Sequence, residues 1–122
     1  MSQITPVPGP SQADFDALNG KIAKNEIQTG ITKVTAIKTG YVVELFGNDI
    51  ATAVTAGGYV TLGTLPNSLK PAHGLVYGVA SAGFSGGRKM GAVTVDSSGN
   101  LIVEASEAMT ISYFSICYIA NQ

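Results

Sequence analysis

The chain has 122 residues, of which 45% are hydrophobic and 12% charged, and its formal net charge is −1. This length predicts one domain, and a charged fraction about half the usual ~25% excludes an intrinsically disordered polar chain. The chain has one cysteine and one histidine. A single cysteine excludes an intrachain disulfide and a metal or redox site built from cysteines. The nearly balanced charge argues against nucleic acid as a partner.

The first thirty residues predict an extended arm followed by a short helix. Residues 1–10 contain three prolines and a glycine, which favour an extended anchoring arm. Residues 11–30 predict a helix and a linker, because Ser11 is a good N-cap and the apolar side chains that follow have the three-then-four spacing of a coiled-coil seam. The seam residues, predicted to hold a homotrimer together, are Phe15, Leu18 and Ile22.

This helix needs a partner for its apolar stripe. A helix of about 13 residues with a glycine inside it is unstable alone in water. Two partners stay open at this stage, namely the globular domain of the same chain and the seams of other copies. We favour self-association because a proline-rich arm precedes the helix.

Residues 31–122 predict an all-β head domain. Short β-branched runs alternate apolar and polar side chains and are separated by Gly, Pro, Asn and Ser. The clearest hairpin spans residues 93–105 around an SSGN turn. The number of runs predicts a jelly-roll-like β-sandwich of about eight antiparallel strands. The predicted strands are residues 33–38, 41–46, 49–55, 59–62, 75–82, 90–96, 101–105 and 109–119.

The last predicted strand carries large apolar side chains on both faces. One face of a strand in a two-sheet sandwich meets the core and the other normally meets water, so the second face needs a cover. A neighbouring subunit is favoured over a loop of the same chain, because the remaining segments are short. The predicted trimer contacts are Phe114, Ile116 and Tyr118, and the opposite face holds Tyr113, Cys117 and Ile119, with Cys117 expected to be a small buried hydrophobe.

Few residues suit catalysis. His73 lies in the loop sequence KPAHG without a recognisable nucleophile motif, and we expect a solvated loop histidine, with a metal or anion site on a trimer axis as the alternative. The stretch GFSGGRKMG holds Arg88 and Lys89 but lacks P-loop spacing. It is interpreted as a hairpin connection, with a cationic grip on an acidic ligand as the alternative. We predict no enzyme, no cofactor and no metal, with Arg88, Lys89 and His73 as candidate ligand contacts.

Three stretches carry a family resemblance: GGYVTLGTLPNSLKPAHGLVYGV, GAVTVDSSGNLIVEA and ISYFSICYIANQ. Together they resemble the distal β-sandwich domains of phage fibres, meaning tail-fibre or baseplate receptor-binding tips and head fibres. The resemblance covers roughly residues 57–122 and rests on strand and turn signatures, which do not identify ligand residues. It implies a homotrimer attached to a virion by its N-terminal end, here with almost no shaft.

The expected function is non-enzymatic attachment of a virion to its host. The arm would bind a capsid or tail protein, and three linked tips would bind a host-surface glycan or protein more tightly than one. The alternative is a capsid decoration, cement or head-fibre protein that stabilises the shell without a host ligand. A hydrolase of surface polysaccharide is disfavoured by the shortage of suitable acid pairs. Neither nucleic acid nor membrane insertion is expected.

Overall fold

The computed structural model describes residues 11–14, 16 and 23–121. At its start the backbone is helical at residues 12–14, and Ser11 caps this turn as the sequence predicts. The amide of Asp14 donates to Ser11 Oγ at 3.1 Å, and the amide of Ser11 donates to Asp14 Oδ2 at 3.0 Å. Outside the described residues lie the predicted arm, residues 1–10, and the seam residues Phe15, Leu18 and Ile22.

Eight strands make up most of the remaining chain. They form one antiparallel sheet that curls into a half-barrel, in the order β1-β2-β3-β8-β5-β6-β7-β4. Within the described range, no helix is long and apolar enough to cross a membrane. The elements are β1 Lys24–Ile27, β2 Val34–Thr39, β3 Val42–Val54, β4 Tyr59–Thr64, the 3-10 helix Asn67–Leu69, β5 Val76–Ser81, β6 Met90–Val95, β7 Asn100–Glu104 and β8 Met109–Ile119.

The all-β class with eight antiparallel strands is confirmed, whereas the two-sheet jelly-roll-like sandwich is not. The physical reason is β8, which pairs with β3 along most of its length and also with β5. One strand therefore joins both halves through hydrogen bonds, and the sheet is continuous. The core fills its concave side.

Two strands differ from the sequence prediction. Residues 41–46 and 49–55, predicted as separate strands, form the single long β3, and its pairing with β8 shifts register between Asn48 and Thr52. Asp49 and Ala51 take positive φ values of 56° and 49° there. The residues that suggested a turn between two strands therefore form a β-bulge inside one strand. Strand β1 forms where a linker was predicted, because its polar sequence pairs with β2 at the sheet edge.

Three inward-facing glycines let the sheet curl tightly over the core. A Cβ on Gly47 would overlap the Phe114 ring, and one on Gly78 would lie 3.1 Å from Val93 Cγ1 and 3.2 Å from Ile116 Cβ. Gly91 faces the same interior. Glycine at a sharply bent sheet position removes the side chain that would hold neighbouring strands apart.

Candidate functional site: the convex face and the end loops

The structure places the predicted trimer contacts of β8 inside a single chain. Phe114, Ile116 and Tyr118 are each only 5% exposed and face the concave core. Side chains buried in this way are not available for contact with another subunit, so the prediction that these three residues form trimer contacts is corrected. The opposite, convex face of β8 exposes Tyr113, Cys117 and Ile119, so the expectation of a buried Cys117 is corrected.

Large apolar side chains continue across the convex face from β8 to the edge strand β4. Tyr59 is 70% exposed and Tyr77 is 67% exposed, and Val79 and Met90 are exposed beside them. Strand register aligns these positions in two rows that cross β5, β6, β7 and β4. The first row is Tyr77, Thr94, Ile102 and Thr61, and the second is Val79, Ala92, Glu104 and Tyr59.

A shallow groove of about 280 Å³ lies between the two rows. Thr94 at its floor is only 5% exposed although it lies on the convex side, because its neighbours on β5 and β7 are larger. Glu104 is the single charged residue on the convex side of β8, β5, β6, β7 and β4. The groove is lined by Tyr59, Leu75, Tyr77, Thr94, Ile102 and Glu104.

An extended apolar surface with one carboxylate is unusual for a small monomer. Monomeric proteins rarely leave contiguous apolar patches larger than a few hundred Å² exposed, and larger patches mark interaction sites. Sequence reasoning missed Tyr59, Tyr77 and Val79. The sequence did contain a signal for them. On these strands, large residues occupy the alternate positions that face away from the core, although the other positions already supply the core side chains.

The candidate ligand residues lie at two ends of the sheet. His73 is exposed in the segment where Pro71 pairs with Ala120, beside the end of β8. Arg88 and Lys89 lie in the β5–β6 connection, beyond the Ser81 and Tyr113 pair near the middle of β8. Arg88 and Lys89 are neighbours in this connection, and their side chains have different partners, the Phe84 ring for Arg88 and the Ala108 carbonyl for Lys89. His73 lies apart from both.

The β5–β6 connection lies far from the point where the described chain enters the sheet. Lys24 on β1 pairs with Thr39 on β2. Thr39 pairs in turn with Val42 on β3, which pairs with Ile119 on β8. Six residues separate Ile119 from Tyr113, which is about 20 Å along a strand.

Comparison with known proteins adds no assignment, since no protein-family model and no curated protein matches the chain. Within residues 11–14, 16 and 23–121, no three His, Cys, Asp or Glu side chains come together as metal ligands. The candidate site rests on geometry, namely the convex apolar face and the β5–β6 connection at one end of it.

Proposed function

We propose that this protein is a non-enzymatic virion fibre or attachment protein that forms a homotrimer. Its N-terminal arm binds a capsid or tail protein, and its β domain is displayed for contact with a host-surface glycan or protein. The observation that carries this proposal is the exposed apolar convex face, which needs a cover. The resemblance of residues 57–122 to phage fibre tips supports the choice of a second and a third copy as that cover.

Burial of the two exposed tyrosines of the convex face supplies a large part of the free energy of assembly. At about 200 Å² for a whole aromatic side chain, the exposed parts of Tyr59 and Tyr77 come to roughly 270 Å². At about 25 cal/mol per Å², covering them contributes about 7 kcal/mol per subunit. Association costs about 4–15 kcal/mol, so the aliphatic side chains around the two tyrosines must contribute as well.

The proposal also covers how the sheet and the N-terminal helix are arranged in the trimer. In the trimer, the two halves of the curled sheet serve as the two layers of a jelly-roll-like sandwich. The part of residues 11–30 that precedes β1 forms the short helix that aligns three chains. The convex faces of β8, β5, β6, β7 and β4 pack against neighbouring subunits, while the β5–β6 connections stay free at the end away from the arm.

Sedimentation of a convex-face variant tests the assembly. Tyr77→Asp places a charge in the middle of the apolar face, where burial without a partner is costly. We expect the unaltered protein to sediment as a trimer at micromolar concentration and Tyr77→Asp to sediment as a monomer with an unchanged β-sheet circular dichroism spectrum. Thr35→Asp, on the exposed outer side of β2, is the matched control and should stay trimeric. A folded monomer of the unaltered chain contradicts the proposal.

Binding to cells or to capsids separates attachment from the alternative cement function. Purified protein is mixed with host cells and, separately, with capsids that lack it, and the retained fraction is measured after washing. Retention by cells supports attachment. Retention by capsids together with capsid stabilisation, and no retention by cells, establishes the cement or decoration function instead.

A further inference from the structure

The β5–β6 connection holds an exposed aromatic ring and a cation stacked on each other. Phe84 is 81% exposed, more than any other large hydrophobic residue of the described chain. The Arg88 guanidinium carbon lies 4.4 Å from the centre of the Phe84 ring. A stacked guanidinium still has its N–H edges free for a ligand, and most of the Phe84 ring remains exposed.

Main-chain hydrogen bonds fix this turn in one conformation. The amide of Ala82 donates to the carbonyl of Lys89 at 2.9 Å, and the amide of Arg88 donates to the carbonyl of Gly83 at 2.8 Å. The amide of Gly87 donates to the carbonyl of Phe84 at 3.1 Å. The backbone at Phe84 and Arg88 is therefore positioned in advance, and only the two side chains remain to be ordered when a ligand binds.

Arg88 adopts a backbone conformation that favours glycine. Its φ is +58°, in the left-handed region that non-glycine residues rarely occupy. Gly87, immediately before it, shows that glycine is available to this turn, yet position 88 carries a long cationic side chain. Lys33, Asp49 and Ala51 also have positive φ values, so the conformation of Arg88 is compatible with a functional position but does not assign one.

The guanidinium has no carboxylate partner in the described chain. The one ion pair among residues 11–14, 16 and 23–121 joins Lys33 to Asp49 at 3.5 Å. Lys89, next to Arg88, donates from Nζ to the main-chain carbonyl of Ala108 at 3.3 Å and adds a second positive charge to this end of the sheet. A carboxylate ligand matches both the charge and the fork geometry of Arg88.

We propose that the Phe84 and Arg88 pair binds a carboxylate-bearing saccharide, with Arg88 contacting the carboxylate and the open face of Phe84 packing on the sugar ring. A rigid sugar fits a protruding turn, because it loses little entropy and needs no long contact surface. An acidic peptide would need a sheet edge or a groove to order its backbone. This inference rests on the proposed attachment function for its biological role, since it names the ligand class of that function.

An NMR titration of the isotopically labelled full-length protein tests the site. D-glucuronate is the probe, with D-glucose, acetate and a short acidic peptide as separate titrants. We expect glucuronate to shift the amide resonances of residues 83–89, with a dissociation constant at least about tenfold lower than those of glucose and acetate. Equal binding of acetate, equal binding of glucose, tighter binding of an acidic peptide, or shifts confined to other residues would overturn the proposal.

Two substitutions of Arg88 separate binding from folding. Arg88→Gln should raise the dissociation constant for glucuronate at least about tenfold, since it removes the charge-assisted hydrogen bonds. Lys24→Gln, which removes one positive charge at the opposite end of the sheet, should leave that constant unchanged. Arg88→Gly relaxes the positive φ and should keep or raise the melting temperature while abolishing the shifts. Retained binding in Arg88→Gln or Arg88→Gly overturns the proposal.

The titration and the sedimentation experiment fail independently. A trimer that does not bind glucuronate overturns the ligand class and leaves the proposed assembly standing. A monomer that binds glucuronate through Arg88 overturns the trimer and leaves the ligand site standing.

Discussion

The hydroxyl of Tyr118 donates a hydrogen bond of 2.7 Å to the main-chain carbonyl oxygen of Leu69. Tyr118 lies near the end of β8 and Leu69 ends the 3-10 helix, and both are buried. The bond joins the connection between β4 and β5 to the sheet across 49 positions of the chain. Burial raises the pKa of Tyr118 above its ordinary value, so the neutral hydroxyl is the form that donates.

Tyr118→Phe should destabilise the fold by about 1–3 kcal/mol, because it leaves the buried Leu69 carbonyl oxygen without a donor. Urea unfolding followed by circular dichroism measures this loss. Tyr113→Phe removes the same hydroxyl from the exposed face of the same strand and should change stability by less than about 0.5 kcal/mol. Equal effects of the two substitutions would contradict the assigned role of the Tyr118 hydroxyl.

Gly47→Ala should destabilise the fold by about 1–3 kcal/mol, since the added methyl group overlaps the Phe114 ring across the β3–β8 pair. Phe114→Leu in the same chain shortens that side chain and should recover part of the loss. A double-mutant cycle measured by urea unfolding gives the coupling between the two sites. Strict additivity of the two changes would show that the overlap is relieved elsewhere.

Asp96 makes the β6–β7 turn sensitive to acid. Its carboxylate accepts hydrogen bonds from the amides of Ser98 at 3.0 Å and Asn100 at 2.9 Å, and from Asn100 Nδ2 at 3.0 Å. Partial burial alone would raise the pKa of Asp96, but the hydrogen bonds from Asn100, Ser98 and Gly99 outweigh it and lower the pKa below 3.8. The folded state therefore holds the charged form more strongly than the unfolded state does.

The sign of the pH effect follows from that lowered pKa. The stability that Asp96 contributes is complete above its unfolded pKa and is lost as the pH falls through its lower folded pKa, in the acid range below about pH 5. Asp96→Asn should therefore flatten the decline of the free energy of unfolding over this range. Glu107→Gln, in the exposed β7–β8 turn, is the control and should leave the decline unchanged. An identical decline in Asp96→Asn and the unaltered protein would disprove the linkage.

The reactivity of the Cys117 thiol measures whether another subunit covers the convex face. The thiol is exposed in the single chain and lies on the side of β8 that the proposed trimer covers. Ellman's reagent should react with Cys117 more slowly in the unaltered protein at high concentration than in Tyr77→Asp, because a covered thiol is inaccessible to the reagent. Dilution of the unaltered protein should raise the rate. Equal and concentration-independent rates would place Cys117 outside any subunit contact.

Local signals were sufficient for several elements of the fold. The alternation in residues 93–105 and the turn between them predicted the β6–β7 hairpin, whose strands pair from Ala92 with Glu104 to Val95 with Leu101. The last strand was predicted with the bounds that β8 has, Met109–Ile119. The serine cap at Ser11 was likewise visible, because a cap involves neighbours three residues apart.

The inner face of β8 shows where local signals stopped. Alternation separated Phe114, Ile116 and Tyr118 from the residues between them, but it did not say which set faces the core. That choice depends on distant strands, since Gly47 on β3 and Gly78 on β5 leave room for Phe114 and Ile116 on the concave side. The exposed convex face, and with it the candidate site, follows from this choice.

By itself, the sequence determined the all-β class, the strand-forming segments and the surplus of apolar side chains, because period-two alternation and turn residues act over a few positions. Only the tertiary structure decided that β8 joins both halves into one curled sheet, that β3 runs through its bulge, and that Phe84 and Arg88 stack at one end. These three features depend on pairing between segments that are far apart in the chain, and on the backbone conformations that such pairing imposes. A local sequence pattern encodes neither the pairing nor those conformations.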